Sequence, residues 1–148
     1  MLNAAANRVT RGRTPGAAWP VRGGLCLSIV VCGLALRGFG FGLGLPAFIV
    51  KYGGSMLWTT MVFFLVAIAA PARSRSSVAL VSAAIAICVE LFRLVHTPWL
   101  DAFRLTMAGA LLLGRIFSLW NLLAYGVGIG LGMLLDRFAM AAFTKARS

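Results

Sequence analysis

Four apolar runs of membrane length organise this chain. They are Gly23 to Phe41, Gly53 to Ala70, Val78 to Val95 and Phe117 to Leu135. As α-helix, a run of 18 or 19 residues rises about 27 Å, close to the hydrocarbon thickness of about 30 Å. Composition agrees: 61% of the 148 residues are hydrophobic and 11% charged, with a mean hydropathy of +0.94. A soluble domain would carry about a quarter charged residues. The expected fold is all-α, an integral membrane four-helix bundle over 23–136, with cationic tails at 1–22 and 137–148.

The net charge of +11 would suggest nucleic acid if it lay on a soluble surface. Here the cations sit in tails and connections between apolar runs, so no nucleic acid is expected. Arg8, Arg11, Arg13, Arg22, Arg73, Arg75, Arg137, Lys145 and Arg147 fall on one side, and Arg37, Lys51, Arg93, Arg104 and Arg115 on the other. The positive-inside bias then puts both termini in the cytoplasm. Arg22 and Arg37 are expected to snorkel to opposite surfaces around the short first span. The N-terminal segment has no small-residue cleavage site after its apolar run, so an uncleaved first helix is expected. Its Arg-rich, acid-free start is also the composition of a mitochondrial transit peptide. Cys26, Cys32 and Cys88 lie within spans at no metal-site spacing and are read as buried thiols acting as small hydrophobes.

Each later span carries a stripe of small or polar residues. Lys51, Ser55 and Thr59 recur on the second, Ser82, Ala86, Glu90 and Arg93 on the third, and Asn121, Tyr125, Gly128 and Gly132 on the fourth. The run GVGIGLG holds overlapping G-x-x-x-G spacings that let helices approach. It resembles a phosphate-binding glycine loop, but no strand precedes it. The earlier GFGFGLG, Gly38 to Gly44, ends at Pro46 and reads as an irregular connection.

The chain has only three acids, Glu90, Asp101 and Asp136. Placing Glu90 within an apolar span costs roughly 2.5–3.5 kcal/mol, which marks it as a functional-site candidate. Arg93, three residues on, shares its helix face and can neutralise it. Arg37, Lys51, Tyr52, Ser55, Glu90, Arg93, His96, Ser118, Asn121 and Tyr125 all fall at the outer ends of their helices, whereas the inner halves carry almost no polar residue. This layer reads either as a polar plug fixing helix register or as a net-cationic ligand site. The stretch Thr97 to Phe117 is too apolar for a solvated loop. Thr97 and Pro98 make an N-cap and first-turn pair, and Asp101 and Arg104 can pair at i,i+3. A short interfacial or re-entrant helix between spans 3 and 4, anchored by Trp99 and Phe103, is expected. One His with no Cys or acid cluster gives no metal site, and no cofactor is implied.

Several segments resemble a known family. They are GLALR (Gly33 to Arg37), Leu45-Pro46, Lys51-Tyr52-Gly53-Gly54, Leu57-Trp58, Val89-Glu90-Leu91, Pro98-Trp99-Leu100-Asp101-Ala102 with Arg104, Leu113-Gly114 and FSLWNLLAY (Phe117 to Tyr125). In this order they resemble an uncharacterised family of small bacterial inner-membrane proteins with a domain-of-unknown-function label, called the "ribosomal maturation YjgA family". The third and fourth spans are more weakly similar to VanZ-like proteins. The resemblance implies four helices in the bacterial inner membrane and no established activity. Relative to the family's pattern, Ser55 stands where an acid is usual, Arg93 where Gln is usual and Asn121 where Asp is common. Acid–base chemistry through several carboxylates would be impaired by those exchanges, whereas binding or packing would survive them.

The resulting expectation is a multi-pass inner-membrane protein with an outer-leaflet site built from Arg37, Lys51, Tyr52, Glu90, Arg93, His96, Asp101, Arg104, Asn121 and Tyr125. Five outer cations against two acids favour an anionic ligand, an envelope lipid or lipid-linked anion. The sequence leaves open a homo-oligomer, a passive assembly subunit and a transporter component. An enzyme acting on lipid-linked substrates would have to work through Glu90 and His96, and no catalytic residue is assigned.

Overall fold

The computed structural model describes residues 18–113 and 117–145, and all regular structure among them is helical. The elements are α1 (Trp19–Phe39), α2 (Ala47–Ala69), α3 (Arg75–Phe92), α4 (Pro98–Leu105), α5 (Met107–Leu112) and α6 (Leu119–Lys145). Helices α1, α2, α3 and α6 are long and apolar enough to cross a membrane. The all-α, four-span architecture read from the sequence is therefore the one observed. Arg8, Arg11, Arg13, Arg115 and Arg147 lie outside the described residues.

Helix ends follow local chemistry. Pro20 sits in the first turn of α1 and Pro46 precedes α2, where a missing N–H costs no helical hydrogen bond. Pro71 lies just beyond the end of α2, and the Ser74 side chain caps α3 by accepting the Ser77 N–H at 3.2 Å. The α1–α2 connection turns at Gly44, whose φ of +76° suits glycine, and closes with the Leu45 N–H donating to the Gly40 carbonyl at 3.0 Å.

Helix α2 occupies the centre, touching α1, α3 and α6. Gly33 faces Leu57 and Gly53 faces Leu36, which sets α1 antiparallel to α2. Met56 and Phe63 of α2 meet Gly128 and Gly132 of α6 in the same order along both chains, so these two helices run parallel. A Cβ at Gly128 would collide with the Met56 backbone, and one at Gly132 would lie 2.8 Å from the Phe63 ring. The Thr60 hydroxyl lies 2.8 Å from the Gly128 carbonyl across the same seam. Gly126 and Gly130 have nothing within 4 Å of a built Cβ. One of the two overlapping glycine spacings thus makes the interface, as expected of packing glycines.

The core gathers Cys26, Ile29, Phe63, Phe64, Ala67 and Val78, while large apolar residues such as Leu27, Leu80, Leu123 and Phe138 point outward. That arrangement suits a lipid solvent. Cys26 is buried, but Cys32 and Cys88 face outward with the other lipid-side residues, a correction to the expectation that all three thiols are buried.

Two features of the end bearing Pro71, the turn end, differ from the sequence reading. The fourth span does not close at Asp136 and Arg137: α6 continues to Lys145. Its physical reason is that Asp136 is buried and paired, with its Oδ1 2.8 Å from Arg22 Nε and its Oδ2 2.8 Å from Arg75 Nε. Arg22 therefore does not snorkel. It turns inward, and its Nη1 also donates to the Ala67 carbonyl at 2.8 Å. A charged clamp linking α1, α2, α3 and α6 thus occupies the turn-end helix halves, which were expected to be nearly free of polar residues.

Candidate functional site

At the opposite end, the hairpin end, the last turn of α3 places Glu90 against the start of α6. Ser82, Ala86 and Glu90 form the buried face of α3, and Asn121 and Tyr125 the buried face of α6. Glu90 Oε1 accepts the Ser118 backbone N–H at 2.8 Å and the Asn121 Nδ2 at 3.1 Å. Its Oε2 accepts the Tyr125 hydroxyl at 2.6 Å and pairs with Arg93 Nη1 at 2.7 Å. A carboxylate offers about four lone-pair sites, and all are engaged. Ser118 immediately precedes α6, so the carboxylate also lies at the positive end of that helix dipole.

The network reaches further. Ser55 Oγ lies 3.3 Å from Asn121 Oδ1, which joins α2 to the cluster. Trp58 packs on Tyr125 with ring centroids 5.8 Å apart. Arg93 Nε donates to the Leu113 carbonyl at 2.6 Å, pinning the segment after α5. Chemically, this is a neutralised and fully hydrogen-bonded knot. It holds three spans and their connection in register.

The expected short helix between spans 3 and 4 is two helices, α4 and α5, broken at Thr106. The break is local: Thr106 Oγ1 accepts the Gly109 N–H at 3.1 Å and starts a new helix. Gly109 there packs so closely on the Phe103 carbonyl that a side chain has no room. Thr97 occupies the N-cap position of α4 but its side chain makes no capping bond. In α4 the buried positions are Leu100 and Arg104, whereas Trp99, Phe103 and Leu105 are exposed. Arg104 Nη1 donates to the Val95 carbonyl at 2.8 Å and to Asp101 Oδ1 at 3.1 Å, and Nη2 donates to the Phe92 carbonyl at 2.6 Å. The cation thus adds a donor to the Phe92 carbonyl, which also takes the Val95 N–H, and supplies one to the Val95 carbonyl just beyond α3.

The ten residues singled out from the sequence fall into four places. Glu90, Arg93, Asn121 and Tyr125 form the buried knot. His96, Asp101 and Arg104 form a second group, with His96 Nδ1 3.2 Å from Asp101 Oδ1 on the exposed side. Lys51 lies over the Tyr52 ring at 5.1 Å and is exposed. Arg37 stands exposed near the end of α1, with no ion pair among the described residues.

Sequence reasoning missed Arg22, Arg75 and Asp136. A signal was present, because Asn121, Tyr125, Gly128, Gly132 and Asp136 continue at steps of three and four, so the third acid extends the stripe already read on α6. The backbone partners, Ser118 N–H and the Leu113 carbonyl, carry no such signal.

The family model described as "Protein of unknown function (DUF2809)" matches residues 44–129. That is more than half of the chain, which belongs to this family. The match takes in the whole Glu90 knot and the α4–α5 segment, and stops short of Arg22, Arg37 and Asp136. No solved structure matches the chain.

Proposed function

We propose that this member of the DUF2809 family is a multi-pass protein of the bacterial inner membrane, with both termini cytoplasmic, that binds an anionic lipid or lipid-linked anion at its hairpin end in the outer leaflet. The observation that carries this reading is a division among the cations. Arg93 and Arg104 are turned inward on the protein's own carboxylates and carbonyls, while Arg37 and Lys51 are exposed and have no acid partner among the described residues. Exposed cations at a membrane surface attract anionic headgroups at about 1 kcal/mol each. The narrower likenesses, to the "ribosomal maturation YjgA family" and to VanZ-like proteins, belong to this proposal.

A second reading is a passive assembly subunit, alone or as a homo-oligomer. One observation favours it: Glu90 has no acceptor left for a ligand once its four donors are counted. Mass spectrometry of lipid co-purified from native membranes decides between them. Enrichment of one anionic class over the bulk membrane is expected. A co-purified pool with the bulk composition would discard the binding reading.

A further inference from the structure

Two arginines share one buried carboxylate at the turn end, and the sharing leaves one of them with donors to spare. Arg22 takes both oxygens of Asp136, Nε to Oδ1 at 2.8 Å and Nη2 to Oδ2 at 3.4 Å, and gives Nη1 to the Ala67 carbonyl. Its side chain is 12% exposed. Arg75 uses only Nε, at 2.8 Å from Asp136 Oδ2, and its side chain is 41% exposed. Among the described residues its two Nη groups have no hydrogen-bond partner. A guanidinium engaged only through Nε keeps both Nη groups available, the fork that matches two oxygens of one phosphate.

The surroundings suit an anion at a membrane surface. Arg73, in the turn before α3, and Arg137, beside Asp136, are both exposed. Two arginines pair with a single buried acid, and two more are exposed close by in sequence. Trp19 is 62% exposed on the first turn of α1, one turn before Arg22, and an exposed Trp at a span's end marks headgroup level.

We propose that the turn end carries a headgroup site for an anionic phospholipid, with Arg75 gripping the phosphate and Asp136 acting as the positioning residue that orients it. This site is separate from the hairpin-end cations and does not depend on them. Asp136 then has two effects: it joins the helices through Arg22 and aims the Arg75 fork outward.

Native mass spectrometry of the purified full chain, titrated with phosphatidylglycerol or phosphatidylcholine, tests the proposal. Arg75→Gln is expected to weaken phosphatidylglycerol binding by about tenfold, as loss of a charge-assisted contact implies, and to leave phosphatidylcholine unchanged. Arg75→Lys keeps the charge but not the fork and should recover little. Because Arg22 still pairs with Asp136, both variants should remain folded, and a matched, small loss of melting temperature in the two would report the lost α3 link rather than the lipid site. Lys145→Gln serves as the charge-removal control, and Arg37→Gln with Lys51→Gln is run in parallel so that the two ends are read separately. Wild-type phosphatidylglycerol binding in Arg75→Gln would overturn the site. Full recovery by Arg75→Lys would overturn the fork geometry on which it rests. Equal competition by inorganic phosphate would make it a site for soluble phosphate and overturn the lipid assignment.

Discussion

Glu90 and Ser118 are joined by an N–H···O bond of 2.8 Å that sets a carboxylate from the last turn of α3 against the amide preceding α6. The same carboxylate holds Asn121, Tyr125 and Arg93. One acid thus closes the hairpin end, as Asp136 closes the turn end. Asn121 and Asp136, which mark those two ends on α6, are 15 residues apart, or about 22 Å along the helix. That separation is most of a hydrocarbon core of about 30 Å.

Removing the Glu90 charge should expose how the knot works. Glu90→Gln leaves Arg93, whose side chain is 11% exposed, without its counter-charge, and breaking a pair with one buried member costs up to about 3–5 kcal/mol. Glu90→Gln combined with Arg93→Gln should recover much of that loss. Thermal or denaturant unfolding in detergent measures both. Additive losses in the double variant would show that the two residues do not interact.

The α2–α6 seam gives a sharper packing test. Gly128→Ala drives a methyl into the Met56 backbone and should destabilise by about 1–3 kcal/mol, the usual cost of overpacking. Gly130→Ala, where nothing lies within 4 Å of the added carbon, should stay near wild type. Parallel melting curves would check this, and equal losses at both positions would contradict the seam.

Much of this fold is legible in the sequence because membrane burial imposes a simple pattern. Apolar length gives the four spans, and the spacing of Ser82, Ala86 and Glu90 gives the buried face of α3. The i,i+3 pair of Glu90 and Arg93 needs only helix geometry. What is not legible depends on tertiary pairing. Asp136 reads as a helix end because an unpaired carboxylate would need water, and nothing local says that Arg22 and Arg75 arrive to neutralise it. The pair of Arg104 with Asp101 is legible in the same way as Glu90 and Arg93, but the burial of Arg104 is not, because its other partners are the Phe92 and Val95 carbonyls, which sequence does not distinguish from any others. The break at Thr106 is of another kind, a local cap in which Thr106 Oγ1 takes the Gly109 N–H, and a reading of one continuous helix passes over it.

The proposed topology rests on the cation bias and is open to direct test. Reporter fusions after Lys145 and at Gly42 should report cytoplasm and periplasm respectively. A periplasmic Lys145 would reverse the leaflets assigned to the two ends.

The hairpin-end cations divide into two classes, those bonded into the protein and those left exposed, and glutamine variants of each class separate them. Arg93→Gln and Arg104→Gln should each lower the melting temperature, since the first removes the counter-charge of buried Glu90 and the second removes a donor from the Val95 carbonyl. The double variant Arg37→Gln, Lys51→Gln should keep the wild-type melting temperature but lose anionic lipid bound at that end, measured by native mass spectrometry on the same preparations. Stable Arg93 and Arg104 variants, or undiminished anionic lipid on the Arg37 and Lys51 variant, would contradict the account.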